Sequence, residues 1–186
     1  MKAHSHSEPL PYAGSGIVLR RLRVSDLQAF QAYRTDPDLA RYQGWSGMTH
    51  AEARAFLKDM GQAPLFTPGQ WVQIGIAEPT TLTLLGDLGL YLAEDASHAE
   101  IGFTLARHAQ GRGRATAAGQ AALQLIFQYT PACKVLGITD ARNTSSIGVL
   151  ERIGMHKQAE RPAVFRGEAC VEYIYAVQRA SGSCTG

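Results

Sequence analysis

The stretch Ala109-Gln110-Gly111-Arg112-Gly113-Arg114-Ala115-Thr116 joins an apolar run ending at Leu105 to a long alanine-rich segment. Small residues at 111, 113 and 115 let the backbone turn tightly and approach a ligand closely. The segment that follows reads as a helix, with Ala115, Ala118, Ala122, Leu125, Ile126 and Tyr129 on one face. A helix that opens on such a loop leaves its first N–H groups unpaired, at the positive end of its dipole, and that arrangement binds phosphate. Arg112 and Arg114 add positive charge to the same place.

Spacing separates the ligands that use this physics. No Gly-Lys pair is present, so the loop is not of the G-x-x-x-x-G-K-S/T type. A dinucleotide fingerprint needs a third glycine where Thr116 stands, and an acid roughly 20 residues on. Cys133 and Lys134 occupy that region, and neither is acidic. Taken alone, the glycines are explained equally well by a tight turn.

Outward from the loop, the texture on the N-terminal side is strand. Runs at 71–77, 82–92 (with Gly86 and Gly89 as bends) and 98–105 precede it. Earlier still, a strand over 17–24 leads to Ser25 as the N-cap of a helix carrying Leu27, Phe30 and Tyr33. A broken helix follows over 37–42, and Thr49-His50-Ala51-Glu52 is a capping box opening a helix through about residue 60. Beyond the loop helix, 134–139 is an apolar run without alternation, as in a strand covered on both faces. Asn143 caps a helix ending at Gly154, with Ile147, Leu150 and Ile153 as its apolar stripe, and strands over 155–160 and 169–177 close the order. The order β-α-α-β-β-β-α-β-α-β-β predicts an α/β (α+β) mixed sheet with helices packed on it.

The 186 residues, 45% hydrophobic and 18% charged, predict one folded domain over 17–179 between loose polar tails at 1–16 and 180–186. A net charge of +2 argues against a nucleic-acid binder that relies on bulk charge. The three cysteines form no C-x-x-C pair, so no zinc ribbon is indicated, and no metal site is expected. Residues 1–16 lack the apolar core of a signal peptide, and no run approaches the length of a membrane span. A cytoplasmic protein with no membrane partner is expected.

Three motifs in order then point to a family. Gln110-Gly111-Arg112-Gly113-Arg114-Ala115 resembles the Q/R-x-x-G-x-G/A acyl-CoA pyrophosphate loop of the GNAT superfamily of N-acetyltransferases. Asn143-Thr144-Ser145-Ser146, followed by Val149-Leu150-Glu151-Arg152-Ile153-Gly154-Met155, resembles its N-x-x-S…LEK-x-GF segment. Ala99-Glu100-Ile101-Gly102-Phe103 looks like the strand before the loop. The match runs loosely from Ile17 to Val177 and is closest to the Rim-type branch, which acetylates protein N-terminal amines.

The resemblance implies a mostly antiparallel mixed sheet whose fourth and fifth strands, here 98–105 and 134–139, splay apart around acyl-CoA, with helices on both faces. Backbone groups of Phe103, Thr104 and Leu105 would bind the pantetheine and polarise the thioester carbonyl, whose oxygen gains negative charge during attack. The pyrophosphate would sit on the amides of Gly111, Arg112, Gly113, Arg114 and Ala115, with Gln110 entering the loop and Asn143 facing the pantetheine or the acceptor. Acetyl-CoA is then the co-substrate and a protein N-terminus or small amine the acceptor. A homodimer is left open.

Each of these residues also has a plainer explanation. Asn143 is a favoured N-cap, and Ser146 either protonates the departing thiolate or faces solvent. Glu100 is the candidate base, or a strand carboxylate paired with a neighbouring base, and His98 shares its face as a second candidate. Leu150 stands where many GNAT enzymes place a tyrosine acid, and reads as core. No cysteine lies in the motifs, which favours direct transfer over a covalent intermediate. Tyr42, Trp45 and Phe165 line an acceptor pocket or belong to the core. A catalytically silent acyl-CoA-binding sensor or scaffold is the alternative function.

Overall fold

A computed structural model of the chain describes residues 8–45 and 47–180. Eight strands form one sheet: β1 Tyr12–Gly14, β2 Ile17–Arg20, β3 Trp71–Ala77, β4 Leu84–Leu92, β5 His98–Leu105, β6 Lys134–Asp140, β7 His156–Phe165 and β8 Glu168–Gln178. The helices are α1 Leu27–Arg34, α2 Pro37–Ala40, α3 His50–Gln62, α4 Arg114–Tyr129 and α5 Thr144–Arg152. The strand order is β1-β2-β3-β4-β5-β6-β8-β7, and every neighbouring pair is antiparallel except β5–β6.

That parallel pair is short. It joins His98 to Lys134, Ala99 to Val135 and Glu100 to Leu136, and there it ends. Beyond Glu100, β5 continues to Leu105 on β4 while β6 continues to Asp140 on β8, so the strands part as a V. These are the two strands expected to splay, counted fifth and sixth because β1 precedes them. Alternation along β5 serves both faces: Ala99 and Ile101 join the core cluster that contains α4, while Glu100 and Gly102 turn the other way. A second cluster of Leu22, Phe30, Tyr33, Ala53, Leu57 and Leu84 packs α1 and α3 on the opposite face.

Three expectations are corrected. The stretch 1–16 is not all tail: Tyr12–Gly14 pairs with Ile17–Arg20, Leu10 is buried, and the Tyr12 hydroxyl donates to Gln124 Oε1 at 3.2 Å. Small polar composition concealed a hairpin whose stability comes from α4, remote in sequence. Residues 1–7 and 181–186 lie outside the described residues. Ser25 does not cap α1, because it lies within a 3-10 turn over Val24–Asp26. Asp26 Oδ2 accepts the Arg23 N–H at 2.8 Å, and its carboxylate also pairs with the buried Arg20, which ends the strand early. The 134–139 strand does alternate: Val135, Gly137 and Thr139 are buried while Leu136 and Ile138 are half-buried, since the splay uncovers one face.

Of the two bends expected in 82–92, Gly89 shows none and pairs in register with Gln73 inside β4. The register slips between Ile76 and Ala77, opposite the Leu84–Gly86 step, so the bend expected at Gly86 is a bulge beside it. Gly86 is also where backbones crowd, because a Cβ there would lie 2.1 Å from the Thr104 carbonyl oxygen. The Thr49 box is made: Oγ1 accepts the Glu52 N–H at 3.3 Å and Glu52 Oε2 accepts the Thr49 N–H at 2.8 Å. Thr49→Ala is expected to cost about 1 kcal/mol, read as a lower urea midpoint with an unchanged slope.

Candidate active site

The loop after β5 is shaped by two left-handed residues. A 3-10 turn over Arg107–Ala109 leads to Gly111 (φ 71°) and Gly113 (φ 72°), after which α4 begins. Such φ values cost an L side chain roughly 1–2 kcal/mol, so the geometry favours glycine at both positions. No side chain caps α4, whereas Thr49 caps α3 and Asn143 caps α5. The uncapped start opens on a cavity of about 570 Å³ bounded by the end of β5, the α2 side, α4 and α5. Gly111, Gly113, Arg114 and Ala115 line it from the loop, Phe103, Thr104 and Leu105 from β5, and Asn143 and Ser146 from α5.

Where β6 has left, the β5 edge turns its carbonyls into the V. Gln110 Nε2 donates to the Leu105 oxygen at 2.9 Å, and Gln43 Nε2 to the Phe103 oxygen at 3.4 Å. Asn143 both lines the cavity and caps α5, accepting the Ser146 N–H at 3.2 Å. One wall is α2, pinned to the loop entrance because Arg107 pairs with Asp36 and, at 2.5 Å, with Asp38. That guanidinium, opposed by partial desolvation and aided by the Leu39 and Asp38 amides, holds the Asp36 carboxyl below its usual range.

The family model described as Acetyltransferase (GNAT) domain matches residues 17–156. The chain belongs to the GNAT acetyltransferase family. Its fold is shared with a GNAT-family acetyltransferase from Bacillus anthracis at a TM-score of 0.80 and 21% identity, covering 90% of this chain and 97% of that one. RimL, a ribosomal L7/L12 alpha-N-protein acetyltransferase in complex with coenzyme A, matches at 0.75 and 16%, over 91% and 97%. The microcin C7 self-immunity acetyltransferase MccE, in complex with acetyl-CoA and AMP, matches at 0.73 and 15%, over 89% and 93%.

Within this GNAT fold, two of the residues singled out from sequence stand apart from the cavity wall. Arg112 lies at the exposed tip of the loop. Glu100 occupies the last position of β5 that pairs with β6, at the fork of the V, with its side chain 25% exposed and His98 Nε2 4.0 Å away. Leu150 is core: it is 1% exposed and packs where Gly137 has no Cβ.

Sequence reasoning missed Leu39 and Gln43 on the α2 side, and Thr116, Val149 and Arg152 on the helices. Arg152 was in plain sight inside the Leu150-Glu151-Arg152 motif, but its orientation was not. Tyr42 does line the cavity, whereas Trp45 and Phe165 do not. Trp45 instead stacks on Arg34, whose guanidinium lies 4.5 Å from the ring centre. Arg34 and Tyr33 hold Asp87, the register partner of Thr104, so a buried charged cluster supports the cavity edge. Burial, and then the Asp87 charge, push the Tyr33 hydroxyl well above its usual range. Among the described residues no helix is long and apolar enough to cross a membrane.

Proposed function

We propose that this acetyltransferase uses acetyl-CoA as donor and passes the acetyl group directly to a primary amine, at a protein N-terminus as in the Rim-type branch or on a small molecule. The observation that carries this is that the uncapped start of α4 and the stretch of β5 beyond its pairing with β6, where among the described residues only the Gln43 and Gln110 side chains bond the Phe103 and Leu105 carbonyls, open into one cavity. The amides of Arg114, Ala115 and Thr116, with Gly111 and Gly113 leaving room, suit a pyrophosphate. The edge at Phe103–Leu105 suits an extended amide chain such as pantetheine, which can add to it as a strand would. RimL and MccE hold coenzyme A and acetyl-CoA, which supports the same donor here.

In this assignment a backbone N–H of the β5 edge stabilises the charge that develops on the thioester oxygen. Glu100, at the fork, accepts the amine proton directly or through a water, and Ser146 stands on the cavity wall to protonate the departing thiolate. Glu100→Gln is expected to lower kcat at least about tenfold while the acetyl-CoA Kd stays within a factor of about two. Full activity across the pH profile would return Glu100 to a structural role. The acceptor is found by presenting a panel of amines, including N-terminal peptides, polyamines and aminoglycosides, with acetyl-CoA and reading thiol release. Tight acetyl-CoA binding with no release for any amine would favour the silent binding module instead.

A further inference from the structure

We propose that Gly102 floors the acceptor pocket and that Gln73 Oε1 accepts a hydrogen bond from the acceptor, so that the enzyme favours amines carrying a bulky apolar group beside the nitrogen. This rests on the amine-acetylation reading and deepens it. Directly opposite residues of neighbouring strands share a sheet face. Gly75, Gly89 and Gly102 therefore lie on the face that bears Glu100, away from α4. A glycine inside a strand weakens the sheet, and each of the three needs a reason. Packing supplies it twice. A Cβ on Gly75 would lie 2.9 Å from Leu84 Cδ1, and one on Gly89 would lie 2.8 Å from Gln73 Nε2 and 3.1 Å from Trp71 Cζ3. At Gly102 a Cβ would meet nothing within 4 Å. Nor does the backbone ask for glycine there, since its φ is not left-handed and the β4–β5 register runs unbroken through the Gly89–Gly102 pair. The reason that remains is the close approach of a ligand.

A second observation lies beside the first. Gln73 folds its side chain over Gly89, the register partner of Gly102, and its Oε1 is buried with no hydrogen-bond partner. Among the described residues only Trp45 Nε1 shares that state. A buried oxygen left bare is costly, and an N–H of a bound acceptor bonds it. The open space over Gly102 also stands next to Glu100, the proposed proton acceptor, where β5 has just parted from β6. Its flanks are apolar: Tyr91 lies opposite Glu100 on β4, and Leu136 and Ile138 are half-buried on β6. Such a lining suits an alkyl or aryl group next to the reacting nitrogen.

The test compares initial rates on glycinamide and phenylalaninamide, read as thiol release from acetyl-CoA, with the acetyl-CoA Kd and the urea midpoint measured alongside. Wild type is expected to favour phenylalaninamide at least about tenfold in kcat/KM. Gly102→Val should erase that preference and Gly102→Ala should reduce it, with the acetyl-CoA Kd within about twofold and the urea midpoint no lower than that of wild type. Gln73→Leu should raise the urea midpoint, because it removes a bare buried oxygen, yet lower kcat/KM on both amines at least about threefold. A lower midpoint in Gly102→Ala, a preference that survives Gly102→Val, or full activity of Gln73→Leu would overturn the inference. So would a wild type that releases thiol with other amines of the panel but not with phenylalaninamide. Thiol release with no amine at all, while acetyl-CoA still binds, would instead remove the transferase reading, and this inference with it.

Discussion

Gly113→Glu is expected to lower acetyl-CoA affinity at least about tenfold, on the order of 1.4 kcal/mol or more. Three causes act together. Gly113 sits at φ 72°, where a Cβ strains the backbone and shifts the amides that follow it. No atom lies within 4 Å of that Cβ, so nothing in the protein resists the new side chain, and it occupies open space beside the cavity. A carboxylate then stands at a helix start proposed to hold a pyrophosphate. Gly113→Ala carries the backbone strain alone and should lose less, which separates strain from charge. Titration with acetyl-CoA reads both variants, and unaltered binding by Gly113→Glu would reject the loop as the pyrophosphate site.

Arg34→Met is expected to destabilise the fold by about 3–5 kcal/mol, because it strands a buried carboxylate. Arg34 and Asp87 are 4% and 3% exposed, and their ion pair is 2.8 Å long, with Tyr33 donating to the same oxygen at 2.5 Å. The guanidinium also lies 4.9 Å from the Phe30 ring centre and 4.5 Å from that of Trp45, contacts that methionine fills only in part. Against a total stability of about 5–15 kcal/mol, such a loss should be plain in urea unfolding. Adding Asp87→Asn to the Arg34→Met chain should recover much of it, since the charge is what the interior cannot tolerate. A single-variant loss below about 1 kcal/mol would mean that water already reaches Asp87. Because Asp87 pairs with Thr104, the destabilised chain should also bind acetyl-CoA more weakly.

Several features were legible before any coordinates because their physics is local. The Thr49 box needs only four consecutive residues, and the Asn143 cap needs the Ser146 amide three positions on. The 98–105 strand and the loop with α4 were readable from alternation, small residues and the 3.6-residue period. Ser25 misled because its residue type suits a cap, whereas the chain there makes a 3-10 turn whose Asp26 carboxylate reaches back to the Arg23 N–H and to Arg20 on the strand before it.

The amino-acid sequence by itself determined the order of elements from Ile17 onward and the glycine-rich turn before α4, both consequences of spacing within short windows, and its three motifs carried the resemblance to the family. The tertiary structure alone decided where β5 and β6 part, and so which strand groups face the cavity. Parting depends on β6 leaving β5 after Leu136 while staying on β8, a competition between strands about 35–40 residues apart in sequence. It likewise decided that Gln43 reaches the Phe103 carbonyl, that Tyr12–Gly14 is an edge strand under α4, and that Arg152 turns back toward Thr116. Each is a contact between segments remote in the chain, and side-chain direction at such contacts is set by packing that no local pattern encodes.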